Sequence, residues 1–304
     1  MIGFYLYSTD KIGLVSPIPN VFGVARGNSF HNDWFPRDIG HDNSDLILSA
    51  KSAILVDYDT GDIIYQKDIH ARQPVASTVK IMTAILALTN KNLNDVFKVS
   101  EHASKVGENS MILGAGEKLT LEELLYGMML VSGNDSAMAI AENVSGNEGK
   151  FVQLMNEAAR QMGLSDTKYA NPSGLDEDNK IQYSTPYDMA VIGRYLWENY
   201  PQIRGISSTY HKYIDATRDH KDYELYNDTN LLTTYPGVKG IKPGFTWESG
   251  LCLVTYAEND GKRLLGVILG SADRRGEMKE LLDYGYAYYG IKISHPGLDL
   301  KAAR

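Results

Sequence analysis

The feature that most constrains the fold is the order of predicted strands and helices along the chain. Ser52–Tyr58 and Ile63–Gln66 are predicted strands, and the turn residues Asp59–Asp62 between them predict a β-hairpin. Near the other end of the chain come three more predicted strands, Gly240–Thr246, Gly250–Ala257 and Arg263–Gly270. This order predicts an antiparallel sheet built from both chain ends, with helices inserted between its two parts.

Capping residues and glycine stops predict that the middle of the chain is helical. Thr120 and Glu123 form a capping box, and Pro186 takes the first helical position after Thr185. The predicted helices are the apolar segment after Pro74 and residues 120–130, 135–144, 147–162, 185–200 and 276–289. The fold class is therefore α+β, a five-stranded antiparallel sheet flanked by helices with an inserted all-helical subdomain.

The two ends of the chain differ from this pattern. Residues 1–47 are rich in turn residues and show no sustained periodicity, which indicates an extension that wraps or links. His31 and His41 lie there near aspartates, but no ligand spacing supports a metal site. We expect an extension at 1–47, one folded domain at 48–292 and a tail at 293–304.

Composition excludes several classes of protein. The 30 basic and 38 acidic residues give a net charge of −8, which argues against a nucleic-acid partner. The single cysteine, Cys252, cannot form an internal disulfide and is expected to pack as a small hydrophobe.

The chain has no stretch long and apolar enough for a transmembrane helix, and the apolar start Met1–Tyr7 is too short for a signal peptide. The chain is thus either intracellular or follows an export segment.

A candidate nucleophile lies near the start of the helix that follows Pro74. Lys80 comes one helical turn after Ser77 on the same face, which places an amine next to a hydroxyl. A neutral lysine can take the hydroxyl proton and so make the serine a nucleophile. Taken alone, the pattern also fits a helix-capping serine and a surface lysine, since the same spacing recurs at Ser165–Lys168.

Two downstream motifs accompany Ser77 and Lys80. Ser132–Gly133–Asn134 lies in a predicted loop between helices, and Lys242–Pro243–Gly244 lies on the first of the last three strands. Other matches stand in the wrong order or setting: Ser145–Asn147, Lys11–Gly13 and Lys105–Gly107. The order Ser-x-x-Lys, Ser-x-Asn, Lys-x-Gly resembles the three-part arrangement of penicillin-binding proteins and serine β-lactamases.

Over residues 48–290 the chain resembles more narrowly the low-molecular-mass D-alanyl-D-alanine carboxypeptidases, the serine peptidases of peptidoglycan maturation. The strings that carry this resemblance, beyond the three motifs, are Ala53–Asp57, Thr60–Gly61, Pro74–Ser77, Lys80–Ala84, Ser132–Ala137, Asn171–Leu175, Tyr183–Asp188, Gly240–Lys242 and Leu281–Gly285. The resemblance implies a fold like that of β-lactamases and D,D-peptidases.

The resemblance also implies catalytic roles for five side chains. Ser77 would attack the carbonyl of the penultimate D-Ala and form an acyl-enzyme, with Lys80 as its base. Burial and the charge of Lys242 would lower the pKa of that base. Ser132 would bridge the two lysines and relay a proton to the leaving D-Ala, and Asn134 would hydrogen-bond the substrate amide.

Substrate binding is expected on the strand that carries the third motif, at Gly244, Phe245 and Thr246. The N–H groups of Phe245 and Ser77 would form the oxyanion hole. Relatives usually carry a threonine where this chain has Pro243, and that hydroxyl helps to hold the terminal carboxylate of the substrate. Because an edge strand tolerates proline, we expect an intact strand with weakened carboxylate recognition, for which Thr246 partly substitutes.

Relatives also place an arginine before the last helix to pair with the same carboxylate. Either Arg274 or its neighbour Arg275 fits this role, and a surface ion pair is the alternative for both.

The resemblance implies a penicillin-binding serine D,D-carboxypeptidase that needs no cofactor and no metal. Its partners would be peptidoglycan stem peptides ending in D-Ala-D-Ala, with β-lactam antibiotics as covalent inhibitors. It would act outside the cytoplasm, in the cell envelope, and meet a membrane only through a segment absent from this chain. The alternatives are a peptidoglycan-binding module weakened by Pro243, a D,D-endopeptidase and a β-lactamase, although the Glu-x-x-Leu-Asn string of the commonest β-lactamases is absent.

Overall fold

The computed structural model describes residues 30–177, 181–229 and 231–294. In chain order its strands are β1 (Ser52–Asp57), β2 (Ile63–Lys67), β3 (Val96–Lys98), β4 (Lys118–Thr120), β5 (His211–Ile214), β6 (Tyr223–Tyr226), β7 (Val238–Thr246), β8 (Gly250–Asn259) and β9 (Lys262–Ser271). Its α-helices are α1 (Lys80–Asn90), α2 (Leu121–Leu130), α3 (Asn134–Ser145), α4 (Glu148–Gln161), α5 (Pro186–Asn199), α6 (Pro201–Ser208) and α7 (Arg274–Tyr288).

Strands from both parts of the chain form one five-stranded antiparallel sheet, in the order β2–β1–β9–β8–β7. This confirms the predicted sheet and its mixed α and β class. β1 pairs with β9 along its whole length, and Ile54 lies opposite Val267. Asp260 and Gly261, both with positive φ, make the tight turn between β8 and β9. β7 lies at an edge of the sheet, so its outer side faces no other strand of that sheet.

The sheet separates two apolar cores. Successive strand residues point to opposite faces, so Ile54 and Val267 pack with the inserted helices, whereas Leu55 and Ile268 pack with α7. A Cβ at Gly285 would lie 2.4 Å from Leu55 Cδ2. The absence of a side chain at that position therefore lets α7 pack closely on the sheet.

The helix ends lie where the capping residues predict them. The Thr120 hydroxyl accepts from the Glu123 N–H, and the Glu123 carboxylate accepts from the Thr120 N–H, which completes the predicted capping box. The Asn147 side chain caps α4, and Gly146 ends α3 with φ of 88°. Local sequence signals thus place α2, α3 and α4, the helices that surround the second motif.

Three pieces of the structure were not predicted: α6 and the two-stranded sheets β3–β4 and β5–β6. The strands of these small sheets have only three or four residues, too few to give a periodic pattern. Ser77 also lies in a 3-10 turn, Ala76–Val79, ahead of α1 rather than in the α-helix itself. Cys252 is a free and fully buried thiol, as expected.

Part of the predicted extension packs on the sheet and on α5. The Arg37 N–H donates to the Gly61 carbonyl (2.8 Å), the Ile63 N–H donates to the Arg37 carbonyl (2.9 Å), and the Arg194 guanidinium lies 4.8 Å from the Trp34 ring centre. Residues 1–29 and 295–304 lie outside the described residues, so the division at 47 and 293 stays a prediction. Within the described ranges, no helix combines the length and the apolar character needed to cross a bilayer.

Candidate active site

Ser77 lies where three segments of backbone approach one another. Ala76, with φ of 47°, begins the 3-10 turn that carries the serine. A Cβ at Gly174 would lie 2.0 Å from the Ala76 carbonyl oxygen, and one at Gly244 would lie 3.0 Å from the Ser77 nitrogen. Glycine at these positions therefore lets the 171–177 loop and β7 reach the serine, which remains half-buried at the surface of a cleft.

Lys80 is the first residue of α1 and is fully buried. Its Nζ lies 2.8 Å from Ser77 Oγ, 2.7 Å from Asn134 Oδ1 and 2.6 Å from the Ser173 carbonyl oxygen. Burial, and next the charge of Lys242, hold the pKa of Lys80 well below its usual value, against the opposing effect of nearby carboxylates.

The three partners of Lys80 suit a neutral amine. Two of them, Asn134 Oδ1 and the Ser173 carbonyl, are oxygens without a proton to give, and each can accept one N–H of an uncharged –NH₂ group. The remaining lone pair of the amine then faces the Ser77 hydroxyl. Lys80 is thus placed to remove the hydroxyl proton of Ser77.

Ser132 reaches the cleft from the short loop between α2 and α3, and Asn134 reaches it from the first position of α3. Ser132 has φ of 59° and is almost fully buried, and within the described residues its Oγ has no hydrogen-bond partner. Asn134 Nδ2 donates to the Gly107 carbonyl (3.0 Å). The predicted bridge of Ser132 between the two lysines is therefore not formed in this structure.

Asp135 fixes the loop at residues 108–113, which forms part of the cleft wall. Its buried carboxylate accepts hydrogen bonds from Ser110 Oγ, Met111 N and Leu113 N. The Asn134 N–H also donates to the Asn109 carbonyl (2.7 Å). These bonds fix the position of Glu108 and Asn109, which line the cleft.

Lys242 lies on the edge strand β7 and is fully buried behind the cleft. Its Nζ lies 3.5 Å from Asp228 Oδ1. Burial lowers the pKa of Lys242, the Asp228 carboxylate opposes this change, and the charge of Arg274 adds to it. Arg274, the first residue of α7, lines the cleft and donates from Nη1 to the Gly244 carbonyl (2.8 Å), whereas Arg275 is not among the lining residues.

Pro243 does not interrupt β7, which pairs with β8 continuously from Ile241 to Thr246, as the sequence predicts for an edge strand. Thr246 is nearly buried. Its hydroxyl donates to Ser249 Oγ (3.0 Å) and accepts from the Ser249 N–H (3.1 Å). Because both contacts hold this hydroxyl to Ser249 at the end of β7, it is poorly placed to replace the one missing at position 243.

The structure brings most of the predicted site residues into one cleft of about 130 Å³. Those that line it are Ser77, Ser132, Asn134, Gly244, Phe245, Thr246 and Arg274. Lys80 and Lys242 lie buried beside it, in contact with lining residues. The arrangement combines a serine hydroxyl, a buried amine and the basic side chains of Lys242 and Arg274, which suits acyl transfer on a substrate that carries an anionic group.

Sequence reasoning missed the Ser173 carbonyl and Asp228. Asn171 Oδ1 accepts from the Gly174 N–H (2.7 Å), and this turn directs the Ser173 carbonyl at Lys80. The string Asn171–Leu175 contains this turn, but a string of residue types does not indicate which backbone carbonyl will accept a hydrogen bond. Asp228 follows β6 in a segment without periodicity, so no sequence signal marked it.

Comparisons with known proteins agree with this geometry. A family model described as Peptidase_S11, D-alanyl-D-alanine carboxypeptidase, matches residues 41–273. The chain is 36% identical over 269 residues to the D-alanyl-D-alanine carboxypeptidase DacF of Bacillus subtilis (strain 168), which covers 86% of this chain and 68% of that relative.

Two solved structures are similar over most of the described chain. The S216A mutant of Streptomyces K15 DD-transpeptidase has a TM-score of 0.75 at 29% identity, covering 80% of this chain and 99% of that one. Penicillin-binding protein D2 from Listeria monocytogenes, in its ampicillin-bound form, has a TM-score of 0.70 at 26% identity, covering 79% and 99%. The chain thus spans nearly all of these two proteins but only about two thirds of the B. subtilis relative.

Proposed function

Because the chain belongs to the D-alanyl-D-alanine carboxypeptidase family of serine peptidases, we propose that it removes the terminal D-Ala from peptidoglycan stem peptides through an acyl-enzyme on Ser77. One observation carries this proposal: a fully buried Lys80 whose Nζ lies 2.8 Å from Ser77 Oγ. Its other two partners accept hydrogen bonds and leave the amine lone pair for the serine proton.

In the first step, Lys80 takes the proton of Ser77 as Oγ attacks the carbonyl carbon of the penultimate D-Ala. The negative charge that develops on the carbonyl oxygen is stabilised by the backbone N–H groups of Ser77 and Phe245. The close approach of Gly244, which precedes Phe245, to the Ser77 nitrogen supports this pairing.

In the second step, the C–N bond breaks and the leaving D-Ala amine takes a proton from Lys80 by way of the Ser132 hydroxyl. The position of Ser132 in the cleft wall supports this relay, since Ser132 lies two residues before Asn134, whose Oδ1 contacts Lys80 Nζ. Asn134 holds the amide of the acyl chain, and Lys242 and Arg274 attract the carboxylate of the leaving residue. Water then attacks the ester on Ser77 and releases the shortened peptide.

A β-lactam carries a strained amide and a carboxylate, so it enters the same cleft and acylates the same serine. Because the ring opens without releasing a leaving group, the adduct persists and the drug inhibits. The ampicillin-bound relative supports this reading. Since peptidoglycan lies outside the cytoplasm, we place the site of action in the cell envelope.

The competing proposal is a binding module whose turnover is lost through Pro243. The continuous pairing of β7 across Pro243 and the intact contact between Ser77 and Lys80 favour the enzyme. Replacing Pro243 by threonine distinguishes the two. A rise from near zero to substantial kcat/KM on a D-Ala-D-Ala peptide would support the binding module.

The deciding experiment is intact-mass spectrometry of the protein after incubation with penicillin, followed over hours, with Ser77→Ala as the control. We expect one adduct of the mass of penicillin, absent from the variant, together with release of D-Ala from a D-Ala-D-Ala peptide. An adduct that also forms on Ser77→Ala would reject Ser77 as the nucleophile. If no adduct forms and the drug stays intact, the result would indicate a site disabled at Pro243 and favour the binding module. Rapid hydrolysis of the drug without an adduct would indicate a β-lactamase.

A further inference from the structure

Asp228 occupies the end of the cleft at which the leaving residue is expected to lie. Its N–H donates to the Leu130 carbonyl (3.0 Å) at the end of α2. The neighbouring Asn227 is buried, and its Nδ2 donates to the carbonyls of Ser207 and Thr209. This segment of backbone is therefore well fixed, and it presents the Asp228 carboxylate to the cleft, 3.5 Å from Lys242 Nζ and about one third exposed.

The Asp228 carboxylate acts on three basic side chains of the site. It raises the pKa of Lys80, of Lys242 and of Arg274, in each case against the lowering effect of burial. Lys242 and Arg274 are the two groups that would attract a substrate carboxylate. A carboxylate that binds there must share Lys242 with Asp228 and meets a charge of its own sign.

The other groups at this end of the cleft do little to offset that repulsion. Pro243 offers neither a hydroxyl nor an N–H. The Thr246 hydroxyl is engaged by Ser249 on both its donor and its acceptor side. The Arg274 guanidinium is itself engaged, since its Nη1 donates to the Gly244 carbonyl.

We propose that Asp228 is a specificity-determining residue that disfavours a free carboxylate on the leaving residue. The cleft therefore accepts a peptide whose C-terminus is an amide nearly as well as the same peptide with a free C-terminal carboxylate. The proposal rests on the function proposed above, because it assumes acyl transfer at Ser77. It concerns the choice of substrate, whereas the bond chemistry stays with Ser77 and Lys80.

The test compares an N-acylated L-Lys-D-Ala-D-Ala peptide with its C-terminal amide, for the full chain and for Asp228→Asn. The asparagine keeps the size of the side chain and an oxygen for Lys242, but it removes the charge. We expect kcat/KM on the acid to rise about tenfold, mainly through KM, and kcat/KM on the amide to change by less than about twofold. Glu224→Gln, which removes an exposed charge from β6 outside the cleft, should leave the ratio of acid to amide unchanged.

Penicillin and its methyl ester provide a second pair that needs no peptide turnover. We expect the Asp228→Asn variant to be acylated about tenfold faster by the acid and at an unchanged rate by the ester. If the wild-type chain forms the Ser77 adduct but turns over neither peptide, the carboxypeptidase function fails and this pair alone decides on Asp228.

An unchanged ratio of acid to amide, with both peptides hydrolysed, would overturn the inference and leave the proposed function intact. An equal loss on both substrates would also overturn it, since Asp228 would then serve only to position Lys242. Absence of both turnover and adduct would remove the proposed function and this inference together.

Discussion

The tightest backbone contact of the site lies between Gly174 and the turn that carries Ser77, and it gives a quantitative prediction for Gly174→Ala. Gly174 has φ of 86°, and a Cβ there would lie 2.0 Å from the Ala76 carbonyl oxygen and 2.8 Å from the Ser77 nitrogen. These neighbours are backbone atoms that cannot rotate away. The variant must therefore displace either the Ser77 turn or the 171–177 loop, which supplies the Ser173 carbonyl to Lys80.

Gly146 provides a matched control because it shares the backbone strain without the contact. Its φ is 88°, and nothing lies within 4 Å of a Cβ built on it. Left-handed backbone alone costs an alanine about 1–2 kcal/mol, which is the whole expected effect of Gly146→Ala. Forced overpacking adds about 1–3 kcal/mol, so Gly174→Ala should lose about 2–5 kcal/mol of unfolding free energy.

Two measurements check this prediction: urea unfolding of both variants, and the rate of Ser77 acylation by penicillin followed by intact mass. A shift of about 1 Å at a nucleophile costs about a hundredfold in rate, so we expect that loss for Gly174→Ala and no loss for Gly146→Ala. If the two variants were equally stable and acylated equally fast, the close approach of Gly174 to the Ser77 turn would be refuted.

Three further predictions follow from the same contacts. Lys80 is proposed to act as a neutral base, and its pKa is held well below 10.5, so acylation should increase as pH rises through the folded-state pKa of Lys80 and be lost below it. A pH profile that stays flat on the acid side would contradict this role. Ser132→Ala should slow peptide turnover about a hundredfold. The urea midpoint should stay unchanged, because Ser132 Oγ has no hydrogen bond to lose within the described residues, and a lowered midpoint would indicate a structural role instead. Thr120→Ala removes the capping box of α2 and should cost about 1 kcal/mol in urea unfolding without changing the acylation rate, and an unchanged midpoint would argue against the cap.

The sequence predicted the sheet and the main helices because their signals are local. The Asp260–Gly261 turn, the Thr120 capping box and the glycine that ends α3 each act within a few residues, and the structure has all three. The hairpin β5–β6 gave no such signal, because strands of four residues are held by packing against other elements rather than by their own pattern.

At the site, the sequence identified side chains but not the backbone groups and charges that surround them. Ser77, Lys80, Ser132, Asn134 and Lys242 could be named from motifs. The Ser173 carbonyl could not, because any residue supplies a carbonyl and only the fold decides where it points. Asp228 is separated from Lys242 by 14 residues, and no spacing rule joins an aspartate before one strand to a lysine within it.

Two residues at the recognition end of the cleft can be substituted at small cost to folding, since Pro243 lies on a sheet edge and Asp228 is partly exposed. Lys80 is different, because it is fully buried and its pKa in the folded state is held low. At any pH at which this lysine is charged in the unfolded chain but neutral in the folded one, folding must release its proton and is less favourable. A site that only binds peptides does not need this destabilising lysine, whereas a site that must move the Ser77 proton does. The buried lysine therefore argues for turnover rather than for binding alone.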